Sequence, residues 1–215
     1  SDSAALKEIA IPGSVTTIEA YAFNACKGLE SITFAENDAL TTINQFVFTE
    51  CDALTSVTIP NSVTKISEDA FRNCDNLASV TIPDSVTIIC ANAFTGTALY
   101  NNAENWENDI LYVDNYLIAA KSNISGDVQI KNGTKKIAEQ AFYACYSITS
   151  ITVPGSVTTI NNKAFYGCTG VTSVTLLDGV EVIGDEAFAY CSKLVELNLS
   201  TTLKTIGTDA FLSCK

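Results

Sequence analysis

The apolar positions of this chain repeat in a fixed pattern. Residues 54–74, LTSVTIPNSVTKISEDAFRNC, carry Leu54, Val57, Ile59, Val63, Ile66, Ala70, Phe71 and Cys74, and the next copy opens at Leu77. One slot is phenylalanine eight times: Phe23, Phe48, Phe71, Phe94, Phe142, Phe165, Phe188 and Phe211, separated by 25, 23, 23, 48, 23, 23 and 23 residues. A period of this size marks stacked supersecondary units. Within a unit, the L-x-x-V-x-I segment alternates apolar with Ser or Thr, which predicts a short strand with its apolar side chains inward. All four prolines (Pro12, Pro60, Pro83, Pro154) follow this segment directly. There a fixed φ and a missing N–H end the strand at a corner. The S-V-T-x-I run that follows predicts a second short strand. Ala70, Cys74 and Leu77 then fall at i, i+4 and i+7 with Phe71 beside them, which predicts one or two helical turns held down by the phenylalanine. Gly184 and Gly207 stand at the corner before this turn, where they are expected to supply an unusual φ.

Two stretches break the period. Residues 34–40, FAENDAL, replace the proline corner with two extra residues and predict a bulging loop. The 48-residue gap before Phe142 is one period plus 25. After Thr97, which stands in the cysteine slot, and Ala98 comes LYNNAENWENDILYVDNYLIAAKSNISG, and the frame resumes at Val128 and Ile130. Ile110–Val113 and Tyr116–Ala120 flank Asp114 and Asn115, a two-residue loop that predicts a β-hairpin. Because the frame is the same on both sides, residues 99–124 read as an insert added to the scaffold. One unit cannot offset the entropy of ordering its own chain, so the copies must stack.

This pattern, L-x-x-V-T-I-P-x-S-V-T-x-I-x-x-x-A-F-x-x-C, resembles the BspA-like, or treponemal-type, leucine-rich repeat, and the likeness runs in phase from about Leu6 to Cys214. It implies an α/β leucine-rich-repeat solenoid of about eight 23-residue units, with short parallel strands, short helical turns and the mid-chain hairpin insert. The whole is read as one domain over 1–215 (units 6–98 and 125–215), expected to be a fragment of a longer surface protein. Proteins of this family are bacterial or protist surface proteins, some of them adhesins. The resemblance therefore implies a non-catalytic binding or adhesion module, cell-surface or secreted, meeting a host or microbial surface protein or a glycan. A passive spacer between other domains is the alternative, and a monomer is the default state.

Charge and residue chemistry narrow this further. Twelve Lys and Arg stand against 24 Asp and Glu, a net charge of −12, and a nucleic-acid binder needs the opposite, a basic face that releases phosphate counterions. No stretch approaches the roughly 20 apolar residues of a membrane span. Histidine is absent, which removes Ser-His-Asp and Cys-His nucleophiles and the H-E-x-x-H metalloprotease. A carboxylate pair, as in glycoside hydrolysis, remains as a remote alternative. Seven of the eight cysteines follow the repeat phenylalanine by three residues; their apolar slot predicts buried free thiols acting as small hydrophobes, and no cofactor or metal site is expected. The candidate contact residues are Tyr100, Trp106, Tyr112 and Tyr116 in the insert, where aromatics mix with amides and carboxylates. Asp127 and Gln129, which interrupt the otherwise Ser- and Thr-rich strand face, complete the set.

Overall fold

The computed structural model describes residues 6–35 and 39–214. The bulging loop expected after Phe34 lies largely outside the described residues. The chain divides into two compact units, Ser1–Trp106 and Glu107–Lys215, and each is a β-solenoid of parallel strands.

In the first unit, Glu8–Ile11 pairs with Ser31–Phe34 and Ser56–Thr58 with Ser79–Thr81. A second row stacks Thr42–Ile43, Lys65–Ile66 and Ile88–Ile89. The period sets the register: Ser56 faces Ser79 and Lys65 faces Ile88. Alternation holds as expected, with Val57 and Val80 buried between exposed Ser and Thr. Where the spacing stretches to 25, the strand ladder divides, because Ser31–Phe34 and Ser56–Thr58 belong to separate sheets. At each proline corner the proline carbonyl accepts a bond from the valine three residues on, as Pro60 does from Val63 at 3.0 Å.

The second unit repeats this plan. Ser125–Gln129, Ser147–Val153, Ser173–Leu176 and Glu196–Asn198 form one parallel ladder. Tyr116–Ala120, Lys136–Ile137, Thr159–Ile160, Val182–Ile183 and Thr205–Ile206 form the other.

The phenylalanine segments are turned but not α-helical. Among the described residues, helix is confined to Ala98–Asn101 and a 3-10 turn at Ala103–Asn105. Around Phe71 the amide donors alternate. Ala70, Arg72 and Cys74 close tight turns onto Ser67, Asp69 and Phe71, while Asp69, Phe71 and Asn73 reach the carbonyls of Ala91, Ala93 and Thr95 in the next coil. Such alternation requires left-handed backbone two residues before and two after each phenylalanine, and all eight copies show it: Asp69 and Asn73 lie at φ 55° and 56°, Lys163 and Gly167 at 56° and 72°. A helix would keep its amides to itself; these segments give half of theirs to the neighbouring coil.

Two further expectations are corrected. Gly184 and Gly207 do not take a left-handed φ. A Cβ on Gly184 would lie 2.7 Å from the Asn162 nitrogen, and one on Gly207 would lie 2.6 Å from the Gly184 carbonyl carbon, so glycine is required there by close approach of the coils. Nor is the hairpin an addition to the scaffold. It forms as expected, with Tyr116 opposite Val113, but its second strand pairs in parallel with Lys136–Ile137. Ile110, Leu117 and Ile124 enter the same core as Phe142 and Phe165.

That core is a ladder of like side chains. The rings of Phe48 and Phe71 stack at 5.4 Å, and those of Phe165 and Phe188 at 5.0 Å. All eight cysteines are free, and all but the partly covered Cys214 are buried. From Cys51 onward the ladder thiols are tied to the preceding segment of the stack: Cys74 Sγ donates to the Phe48 carbonyl at 3.0 Å and Cys168 Sγ to that of Phe142 at 3.2 Å. Burial pushes the thiols of Cys145 and Cys191 up to about 11 and about 12. Among the described residues no buried side-chain nitrogen or oxygen lacks a partner.

Candidate functional site

The six candidate residues separate by surroundings. In the first unit, Thr97 fills the cysteine slot; its hydroxyl donates to the Phe94 carbonyl at 2.8 Å and accepts from the Tyr100 amide at 3.1 Å, starting the helix Ala98–Asn101. The helix brings Tyr100 to Trp106, their rings meeting edge to face at 5.0 Å, while Trp106 Nε1 donates to the Tyr100 carbonyl at 2.7 Å. Both rings are half-buried.

In the second unit, Tyr116 is only 2% exposed, and the Lys136 ammonium lies 5.5 Å from its ring centre. Its place in the contact set falls away, because the strand it belongs to is an interior rung of the ladder. Tyr112 is half-buried, its hydroxyl accepting from the Lys131 amide at 3.3 Å. Lys131 Nζ lies 5.6 Å from the Tyr112 ring centre and 2.7 Å from Glu107.

Asp127 and Gln129 stand on the exposed face of Ser125–Gln129. They line a groove of about 430 Å³ together with Asn108, Asp109 and Ser125, above a floor of Ile110, Ile124 and Val128. Asn108 and Asp109 are both left-handed, φ 51° and 63°, which turns the chain toward the hairpin, and Asp109 is paired with Lys121 at 2.9 Å. The Asp127 carboxylate accepts from the hydroxyls of Ser150 at 2.7 Å and Thr149 at 2.8 Å. Those bonds hold its carboxyl below the ordinary value, Ser150 contributing most. The groove thus offers an apolar floor, an amide and an acceptor already oriented by its neighbours, which is the composition of a small recognition site.

A second groove, of about 670 Å³, lies in the first unit where the strand ladder divides, between Ser31, Thr33, Ser56, Thr58, Asn61 and Ser62. The residues did not single it out. Its one signal in the sequence is the 25-residue spacing before Phe48, which places a break in the ladder but says nothing of an opening. Among the described residues, no group of three His, Cys, Asp or Glu could hold a metal ion, and no helix is long and apolar enough to cross a membrane.

The profile of the BspA type leucine rich repeat region, in six copies, matches residues 1–125 and 112–215. The chain belongs to this family. Solved structures similar to this BspA-type repeat include a leucine-rich repeat protein from Eubacterium ventriosum, at 24% identity over 97% of this chain and 53% of the other, TM-score 0.42. The pneumococcal vaccine antigen PcpA is similar at 20% identity over 94% and 58%, TM-score 0.46. The leucine rich repeat protein of T. pallidum is similar at 23% over 97% and 77%, TM-score 0.41. The BspA-type repeat described here spans about half the length of the Eubacterium protein. A search of curated proteins finds no match.

Proposed function

We propose that this BspA-type repeat is a non-catalytic module at the cell surface or in secretion that recognises a protein or glycan partner, with contact centred on the groove beside Asp127 and Gln129. The observation that carries the reading is the groove itself. It lies where the repeated strand face loses its Ser and Thr pattern, and it sets an amide and an oriented carboxylate over an apolar floor. The same geometry weighs against hydrolysis. A glycosidase needs one carboxyl held protonated as general acid, whereas the Asp127 carboxyl is shifted the other way.

Arrays of matrix proteins and glycans test this with four single variants. Asp127→Ala and Gln129→Ala are expected to lower affinity by about tenfold each, the size of a modest hot spot. Thr81→Ala, on the first unit's strand face, and Trp106→Ala are expected to bind as the parent chain does. Equal binding by all four would remove the groove from the function, and a parent chain that binds nothing would favour a spacer.

A further inference from the structure

Three tyrosines form a row on the second unit that the repeat pattern conceals. Tyr143 and Tyr166 directly follow their repeat phenylalanines, and Tyr190 stands two residues after Phe188. The rings of Tyr143 and Tyr166 lie 5.2 Å apart and nearly parallel at 4°, while those of Tyr166 and Tyr190 lie 5.1 Å apart and tilted by 57°. Tyr143 is 48% and Tyr190 41% exposed. Their backbones are fixed coil to coil: the Ala144 amide donates to the Tyr166 carbonyl at 2.8 Å, Gly167 to Ala189 at 2.8 Å, and Tyr190 to Leu212 at 2.7 Å. Tyr166, between them, is half-buried, so the row is reachable from solvent while the backbone bonds hold the neighbouring coils in register.

We propose that Tyr166 and Tyr190 are a modification site, at which hydrogen peroxide and a haem peroxidase join the two rings as dityrosine. Each phenol gives up one electron and its O–H proton, leaving two phenoxyl radicals. These couple through the ring carbons ortho to oxygen, and the two ortho hydrogens shift to the oxygens as the rings regain aromaticity. The two electrons and two protons released reduce one peroxide to two waters, its O–O bond breaking. Holding both radicals in contact makes the coupling unimolecular, which favours it strongly over encounter between molecules. The tilted pair is the one selected, because two rings joined ortho to oxygen must be twisted about the new bond. The flat Tyr143–Tyr166 stack has first to turn. The product is a covalent rung between neighbouring coils, which restricts the unfolded chain as any cross-link does.

Two other tyrosines serve as internal controls. Tyr21 is 56% exposed but stacks on Phe46, at 4.8 Å, which has no phenol to couple. Tyr146 is 63% exposed and takes part in none of the ring pairs described above. The full chain, at several dilutions, is treated with a haem peroxidase and limiting peroxide; the monomer is isolated, its dityrosine fluorescence read and its cross-linked peptides identified by mass spectrometry. The expected result is a monomer signal independent of protein concentration, from a 166–190 peptide pair, falling to background in Tyr166→Phe and Tyr190→Phe and retained in Tyr143→Phe. Phenylalanine keeps the ring stack, and a circular dichroism melt confirms that each variant is folded. Fluorescence confined to dimers, or a monomer signal that survives in Tyr166→Phe or Tyr190→Phe, overturns the assignment.

Discussion

Phe165 and Tyr116 are both buried in the second unit, and they arrive there by different routes. Phe165 belongs to a coil that copies its neighbours. Its ring stacks on those of Phe142 at 4.7 Å and Phe188 at 5.0 Å, and its amide reaches Ala187 at 2.8 Å. Tyr116 belongs to a hairpin with no counterpart in the other repeats, yet its strand continues the same ladder through Lys136 and Ile137. Departure from the period is therefore not departure from the core. The hairpin presents an open strand edge of the right register, and the first regular coil pairs with it as it would with another coil. The two regions differ in chemistry nonetheless, since the coils carry a thiol in each turn and the hairpin carries none.

Alkali should expose that difference most strongly. The thiols of Cys145, Cys168 and Cys191 are all raised above the ordinary 9.0 by burial. A raised folded value means that the unfolded chain ionises first. The stability contributed by the neutral thiols is thus complete below about pH 9 and is lost as pH climbs through the folded values near 11 and 12. Chemical denaturation followed at pH 8, 9, 10 and 11 should show a steep fall beginning near pH 9. The Cys145→Ala and Cys191→Ala double variant, although less stable at pH 8, should fall less steeply. A slope unchanged by the double variant would mean that the thiols already ionise in the folded chain.

Truncation tests whether hairpin and coil share one core. Phe165→Ala should cost about 3–5 kcal/mol and Leu117→Ala about 2–5 kcal/mol, the range for large-to-small changes at buried sites; both residues are fully buried. Equilibrium denaturation with fluorescence and circular dichroism checks this. A Leu117→Ala cost below 0.5 kcal/mol, the size of an ordinary surface change, would return the hairpin to the status of an appendage.

The strand rows, the proline corners and the phenylalanine and cysteine ladders were legible because each rests on a side-chain pattern that recurs in phase. The turn segments were misread as helical because Ala70, Cys74 and Leu77 satisfy helical spacing while the backbone between them does not. The informative residues were Asp69, Asn73, Asn92, Gly96, Gly167 and Asp209. These are types that tolerate positive φ, and they occupy the positions two before and two after the phenylalanine. Of the candidate site, Asp127 and Gln129 could be picked out as interruptions of the strand face. The partners of Asp127, Thr149 and Ser150, lie one period on, and Asn108 and Asp109 reach the groove only through the fold. Tyr116 was misplaced because an exposed hairpin and an interior rung have the same alternation of residues.

The smallest expected effects come from two glycines that look alike in the sequence and differ in physical role. Gly184 stands where two coils approach, and a methyl group there would meet the backbone of Asn161 and Asn162 at 2.8 and 2.7 Å. Backbone atoms of a packed coil cannot turn aside, so Gly184→Ala should cost about 1–3 kcal/mol through overpacking. Gly167 instead lies at φ 72°, and an added Cβ would find ordinary contact, 3.8 Å from the Ala144 Cα. Its cost is the left-handed penalty alone, about 1 kcal/mol, partly offset because alanine loses less freedom on folding. Urea midpoints of the two variants should therefore fall in that order. Ala144 occupies the same left-handed place one coil earlier at φ 56°, so Ala144→Gly should move the midpoint by less than Gly167→Ala and in the opposite direction. Equal losses at Gly167 and Gly184 would mean that the facing coil yields to the added methyl group at Gly184.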